Sequence, residues 1–265
     1  MIPNILSIAG SDPSGGAGIQ ADLKAISANG GYAMAVIAAM TAQNTQGVSG
    51  WVPTDPDFII AQIEAILADI RVDAIKIGML GTVKAVEAVG QALKDCAAPI
   101  VLDPVMVAKG GSRLLNEEAV EAVRDILVPM ASLITPNLPE AADLLGTMEA
   151  GSRDDMLAQA EALIALGPKA IYLKGGHLGS QDSPDLYLSA TGQEWISAPR
   201  IETKNTHGTG CSLSSALATQ LALSGDGLKA ARQAKAYISR AIAASANLDV
   251  GSGHGPTDHF FMLRS

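Results

Sequence analysis

The run "KNTHGTGCSLSSALA", residues 204–218, sets a Gly-Thr-Gly turn against a cysteine where a helical period begins. Gly208 and Gly210 allow a backbone path that aims several N–H groups at one point, with Thr209 between them. A helix starting near Cys211 adds the positive end of its dipole. Together they suit an anion hole for a phosphoryl group in transit; the plainer alternative is a flexible turn before an ordinary helix. Cys211 itself has three candidate roles. As a nucleophile it needs a base such as His207, with no orienting acid evident near that histidine in the sequence. As a proton acceptor it gains from the helix N-terminus, which lowers a thiol pKa from its usual value of about 8.5. As a small residue it simply packs.

Other segments carry complementary chemistry. In "TPNLPEAADLL", Asn137 and Glu140 stand where a strand leads into a helix. There they can hold Mg2+ through its waters, or merely cap the helix. Asp103 ends the apolar run "IVLD". Lys174 in "KGGH" and Lys109 in "AKGG" can offset phosphate charge, although a lone lysine is usually solvated. "GAGIQA" matches a dinucleotide fingerprint at Gly16, Gly18 and Ala21, but too far past the strand and with no acid roughly 20 residues on. A Walker A motif is absent, so ATP would be held by another device.

These residues need a scaffold that brings loops together. "NILSIA", "AMAVIAAM", "AIKI", "PIVLD", "ASLIT" and "AIYLK" read as short buried strands, each separated from the next by a helical stretch. "DPDFIIAQIEAILADI" puts Ile59, Ile60, Ile63, Ile66, Leu67 and Ile70 on one helical face. This alternation predicts one α/β domain over residues 1–265, with a mostly parallel central sheet and helices on both faces. Residues 185–200 read as an antiparallel hairpin around Thr191–Gly192. Helices follow near 211–224 and 227–247, then a Gly-rich tail. "GSDPSGGAG", "TAQNTQG", "GMLG", "DPVMVAKGG", "TPNLPEAADLLG" and "KGGH" then fall in loops at the carboxyl ends of strands, where such sheets bind ligands.

Composition narrows the partners. The chain of 265 residues is 48% apolar but only 3% aromatic, suiting a parallel sheet under small-faced helices. A formal charge of −9 argues against a nucleic-acid partner. Two cysteines, Cys96 and Cys211, build no disulfide framework. The first residues, "MIPNILSIAGSD", lack a basic targeting region, and no apolar run reaches the roughly 20 residues of a membrane span. A cytoplasmic protein with no membrane partner is expected.

Taken together, "IAGSDPSGGAGIQADLKAISANGGYAMAVIAAMTAQNTQGV", "KIGML", "VLDPVMVAKGG", "LITPNLPEAADLL", "LKGGH", "KNTHGTGCSLSSALA" and "GSGHGPTDH" resemble the bacterial hydroxymethylpyrimidine/phosphomethylpyrimidine kinases. These are thiamine-pathway enzymes of the ribokinase-like superfamily, and the resemblance spans essentially the whole chain. It implies two successive ATP- and Mg2+-dependent phosphorylations at one site: first of the hydroxymethyl group of 4-amino-5-hydroxymethyl-2-methylpyrimidine, then of the monophosphate. It further implies a homodimer. By the same resemblance Cys211 is the proton acceptor, and Gly208, Thr209 and Gly210 form the anion hole. Gln43 reads the pyrimidine, while Gly10, Met79 and Val105 line the ring pocket and Asp22 approaches the substrate. Asn137, Glu140 and Asp103 match the nucleotide–Mg2+ side, and Lys174 and Lys235 the phosphates, although Lys235 also fits a solvated helix face. The rivals are a pyridoxal kinase of the same superfamily, a thiol acyl-transferase or hydrolase using Cys211 with His207, and a non-catalytic pyrimidine sensor.

Overall fold

A computed structural model describes residues 1–106, 115–179 and 182–264. Its frame is a nine-stranded sheet in the order β3-β2-β1-β4-β5-β6-β7-β8-β9. The strands are β1 (Asn4–Ser11), β2 (Tyr32–Asn44), β3 (Gly47–Pro53), β4 (Ala74–Ile77), β5 (Ile100–Leu102), β6 (Leu133–Ile134), β7 (Ala170–Lys174), β8 (Asp182–Ser189) and β9 (Gly192–Pro199). The run from β2 through β7 pairs parallel, whereas β3, β8 and β9 pair antiparallel at the two ends.

Period-2 alternation explains why both faces are covered. Leu6 and Ile8, Ile75 and Ile77, and Ile171 and Leu173 enter one core, packed under helices α2 (Pro56–Leu67), α3 (Val83–Leu93), α4 (Glu117–Ala122), α5 (Leu138–Leu145) and α6 (Arg153–Ile164). Ile5, Ala74, Val101 and Tyr172 enter the other, under α1 (Gly18–Ala28), α7 (Thr209–Ser224) and α8 (Gly227–Ala244). Of the six apolar residues read onto one face of α2, Ile59 and Ile63 are fully buried. The helix starts where Asp55 accepts the N–H groups of Asp57 and Phe58, with Pro56 at its first position.

Two features differ from the sequence reading. "TAQNTQG" is not a loop. β2 continues through Gln43, and an antiparallel return over β3 makes a ribbon that stands beside the carboxyl ends of the parallel strands. The ribbon is half-exposed and polar, so no apolar run marks it. The Gly-rich tail also folds back. His254 N donates to Thr45 O at 2.8 Å and His207 N to Gly255 O at 3.0 Å, so the tail clamps the ribbon tip to the approach of α7. Thr257, Asp258 and His259 end up buried. The expected hairpin is present as β8–β9, turning just before Gly192.

Candidate active site

β1 pairs with β2 on one side and β4 on the other, so the strand order reverses at β1. At such a switch the loops splay apart and open a crevice. Here a cavity of about 770 Å³ opens over the carboxyl ends, reaching Gly10, Gln43, Asp103, Lys174, Gly210 and Cys211 among others.

The glycine turn forms its floor. Gly208 has φ +74°, and a Cβ there would lie 1.7 Å from Gly16 O, so only glycine lets this turn pack against the β1–α1 loop. α7 begins one residue later, at Thr209 rather than Cys211. The leading N–H groups of a helix have no intrahelical acceptors, and the dipole adds positive potential at the same point. Gly210 faces the charged side of the pocket, since a Cβ there would lie 3.4 Å from Lys174 Nζ and 3.5 Å from Asp103 Oδ2. The turn and the charge cluster are therefore neighbours.

That cluster comes from two strand ends and the first turn of α5. Lys174, closing β7, donates to Asp103 Oδ1 at 2.9 Å and stands 3.7 Å from Glu140 Oε2. Asp103 also accepts from Thr135 Oγ1 at 3.1 Å. Burial opposes its ionisation, but Lys174 and Lys76 outweigh this and hold it below the usual carboxylate range. Glu140 goes the other way. Burial pushes its pKa up to about 7 against the pull of Lys174, with Asp103 adding repulsion. The capping reading of "TPNLPE" holds. Asn137 and Glu140 form a capping box, each side chain accepting the other's backbone N–H at 2.8 Å, and both also line the cavity. Two carboxylates share one ammonium, so the cluster lacks a positive charge. A pair of oxygen donors at such a shortfall fits Mg2+, which keeps most of its waters and takes few protein ligands.

Cys211 reverses an expectation. The helix terminus was expected to favour thiolate. Instead burial pushes the thiol up to about 11, against the charge of Lys76 and a hydrogen bond from Gly18 N–H, with Asp22 and Asp103 adding to the rise. Desolvation outweighs Lys76 and the Gly18 N–H, which favours the protonated thiol at neutral pH.

Asp22 is likewise displaced from its expected role. It is fully buried, ion-paired with Lys76 Nζ at 2.8 Å, and accepts from Ser7 Oγ at 2.6 Å and Ser215 Oγ at 2.9 Å. Three partners making four hydrogen bonds absorb its oxygens, so it is part of the support and not a substrate contact. Lys235 is no solvated residue of α8. It reaches the pocket wall, where it pairs with Asp185 at 2.7 Å and donates to Ser183 O at 2.9 Å. Gly10, Met79 and Val105 all line the cavity; Gly10 N donates to Met79 O at 2.9 Å and a Cβ on Gly10 would lie 2.9 Å from Met79 Cε. Lys109 lies outside the described residues.

Sequence reasoning missed Lys76, Asp12 and Thr41. A lysine inside the apolar run "AIKI" was a visible signal, because an unpaired buried ammonium is prohibitively costly. Asp12 supplies the acid thought missing beside His207: its Oδ2 lies 2.7 Å from His207 Nε2. Burial opposes ionisation of Asp12, but hydrogen bonds from His207 and Ser14 hold it below its usual range.

Among the described residues no helix is long and apolar enough to cross a membrane. Residues 12–258 match the family model described as phosphomethylpyrimidine kinase. The chain is 50% identical over 258 residues to the hydroxymethylpyrimidine/phosphomethylpyrimidine kinase of Salmonella typhimurium, covering 97% of each. Its fold superposes on the pyridoxal kinase of Bacillus subtilis in an ADP complex with TM-score 0.92 and 36% identity, covering all of both chains. A phosphomethylpyrimidine kinase of Clostridium difficile gives TM-score 0.81 at 41% identity, over 91% of this chain and 99% of that one. With motifs and fold in agreement along nearly its whole length, the chain belongs to the phosphomethylpyrimidine kinase family.

Proposed function

We infer that this protein is a hydroxymethylpyrimidine and phosphomethylpyrimidine kinase. It transfers the γ-phosphoryl group of ATP to the hydroxymethyl group of 4-amino-5-hydroxymethyl-2-methylpyrimidine, then phosphorylates the monophosphate. The observation that carries this reading is the juxtaposition at Gly210: a helix-terminal glycine turn, a thiol and a lysine–dicarboxylate cluster face one cavity. Phosphoryl transfer asks a protein mainly for positioning and electrostatic stabilisation, and this arrangement supplies both.

In this reading the amides of Gly208 and Gly210 and the α7 terminus receive the transferring group, with the Lys174 ammonium beside them. Glu140 and Asp103 would hold Mg2+, which would offset charge on the nucleotide phosphates. Gln43 reads the amino and ring-nitrogen edge, and Gly10, Met79 and Val105 contact the ring. Lys235 supports the phosphate side. Cys211 takes the hydroxyl proton in the first transfer. With burial pushing the thiol up to about 11, little of it is thiolate at pH 7, so this step should accelerate as pH rises. The second acceptor, a phosphate monoester with second pKa about 6, is already ionised and needs no such base. A homodimer belongs to the same proposal and is checked by sedimentation velocity.

Supplying Mg·ATP with the pyrimidine alcohol should yield mono- and then diphosphate; absence of both products would overturn the assignment. Pyridoxal, offered in competition, should be the poorer acceptor.

A further inference from the structure

We propose that Thr41 and His207 lock the side-chain amide of Gln43 in one rotation, Nε2 toward Thr41 and Oε1 toward His207, so that the pocket accepts donor and acceptor in one order only. The proposal rests on Gln43 being the residue that reads the ring.

The geometry states a conflict and resolves it. One end of the amide, placed as Oε1, lies 3.2 Å from Thr41 Oγ1, and the other, placed as Nε2, lies 3.4 Å from His207 Nε2. Thr41 has a single hydroxyl proton, and its Oγ1 stands 2.8 Å from Ser11 O. A carbonyl oxygen only accepts, so that proton is committed to Ser11. What Thr41 turns to Gln43 is a lone pair, which calls for an N–H.

At the other end, His207 Nε2 lies 2.7 Å from Asp12 Oδ2. That carboxylate also receives the N–H groups of Ser14 and Ala17, each at 2.9 Å. An acceptor-only group at this distance requires a proton on His207 Nε2, whether the ring is neutral or charged. His207 Nε2 therefore has no lone pair for an amide N–H; its one proton is held by Asp12, so it repels an N–H and at most shares that proton with an oxygen. Both neighbours reject the same placement, and both accept the amide after a half-turn about Cγ–Cδ. The two ends of a primary amide are nearly isosteric, so the turn is sterically free.

Once turned, Gln43 keeps one free N–H on the Thr41 side and one free lone pair on the His207 side. A 4-aminopyrimidine edge matches that order, its amino group donating to Oε1 and its ring nitrogen accepting from Nε2. The deaminated 4-oxo analogue presents the opposite order, an oxygen acceptor beside a ring N–H. Turning the amide back to suit it sacrifices the Thr41 hydrogen bond and sets an amide N–H against the N–H of His207. Thr41, His207 and, through His207, Asp12 are thus positioning residues for specificity.

The test combines kinetics with a direct reading of the histidine. Thr41→Val removes the lone pair in a side chain of equal shape. It should narrow the kcat/KM preference for the 4-amino over the 4-oxo alcohol by roughly 5- to 10-fold, the scale of one lost hydrogen bond. The change should fall mainly on KM, and Thr41→Ser should restore the preference. Nitrogen-15 NMR of the wild-type protein should show His207 protonated at Nε2. An unchanged preference in Thr41→Val, or an unprotonated His207 Nε2, overturns the proposal. Failure of the wild type to phosphorylate either alcohol would instead sink the kinase reading, and the NMR spectrum would still decide the state of His207.

Discussion

Two lysine–carboxylate clusters lie in one sheet, and they differ in charge balance. Below the glycine turn, Lys76 and Asp22 are both fully buried, one ammonium to one carboxylate, with Ser7 and Ser215 filling the remaining valences. Burial penalises the ammonium, yet the carboxylate overcomes this and raises the pKa of Lys76. At the cavity wall, Lys174 serves both Asp103 and Glu140, and its side chain stays 15% exposed. The closed pair is neutral and complete. The open cluster sets two carboxylates against one ammonium, and burial, with repulsion from Asp103, lifts the pKa of Glu140 to about 7. A balanced buried pair is costly to break on one side only, whereas an unbalanced cluster with a perturbed carboxylate in a cleft marks a candidate ligand site.

The comparison can be broken first at the closed pair. Lys76→Met strands a buried carboxylate and should cost about 3–5 kcal/mol in urea unfolding. Replacing both partners, Lys76→Met with Asp22→Leu, should recover most of that loss. If the single variant costs no more than an exposed ion pair, the two clusters do not differ as described.

Glu140→Gln probes the open cluster. Gln preserves the capping box, so stability should hold within about 1 kcal/mol. Mg2+-dependent nucleotide affinity, measured by calorimetry, should fall roughly 10-fold. A stability loss like that of Lys76→Met would mean that Glu140 is structural after all.

The smallest effect is on pH. Without Mg2+, the folded state keeps a proton on Glu140 up to about pH 7, whereas an unfolded glutamate loses it near 4.5. The unfolded state binds fewer protons across that window, so this group makes stability fall as pH rises from about 5 to 7, by on the order of 1 kcal/mol. Glu140→Gln should flatten that part of the profile, and a slope surviving the substitution would place its origin elsewhere.

What the sequence disclosed follows the same division. The parallel strands were legible because burial on both faces writes unbroken apolar runs such as "AIKI" and "AIYLK". The β2–β3 ribbon was not, because half-exposed polar residues such as Gln43 and Asn44 carry no burial pattern. Among site residues, Asp103, Glu140 and Lys174 stood at strand ends and could be read from loop position. The partners of Asp22 and His207 could not, since Ser215 and Asp12 are more than 190 positions away in sequence. The thiol pKa of Cys211 was misjudged for a related reason: a helix start is visible locally, but the desolvation that overrides it comes from the whole fold.

The central claim is that one pocket performs two transfers and only the first needs a proton acceptor. The direct measurement is the rate of each step separately, alcohol and monophosphate, in the wild type and in Cys211→Ala. The alcohol step should fall by roughly 100-fold or more, and should lose its rise with pH, while the monophosphate step falls less than about 10-fold. Equal loss in both steps would contradict the account.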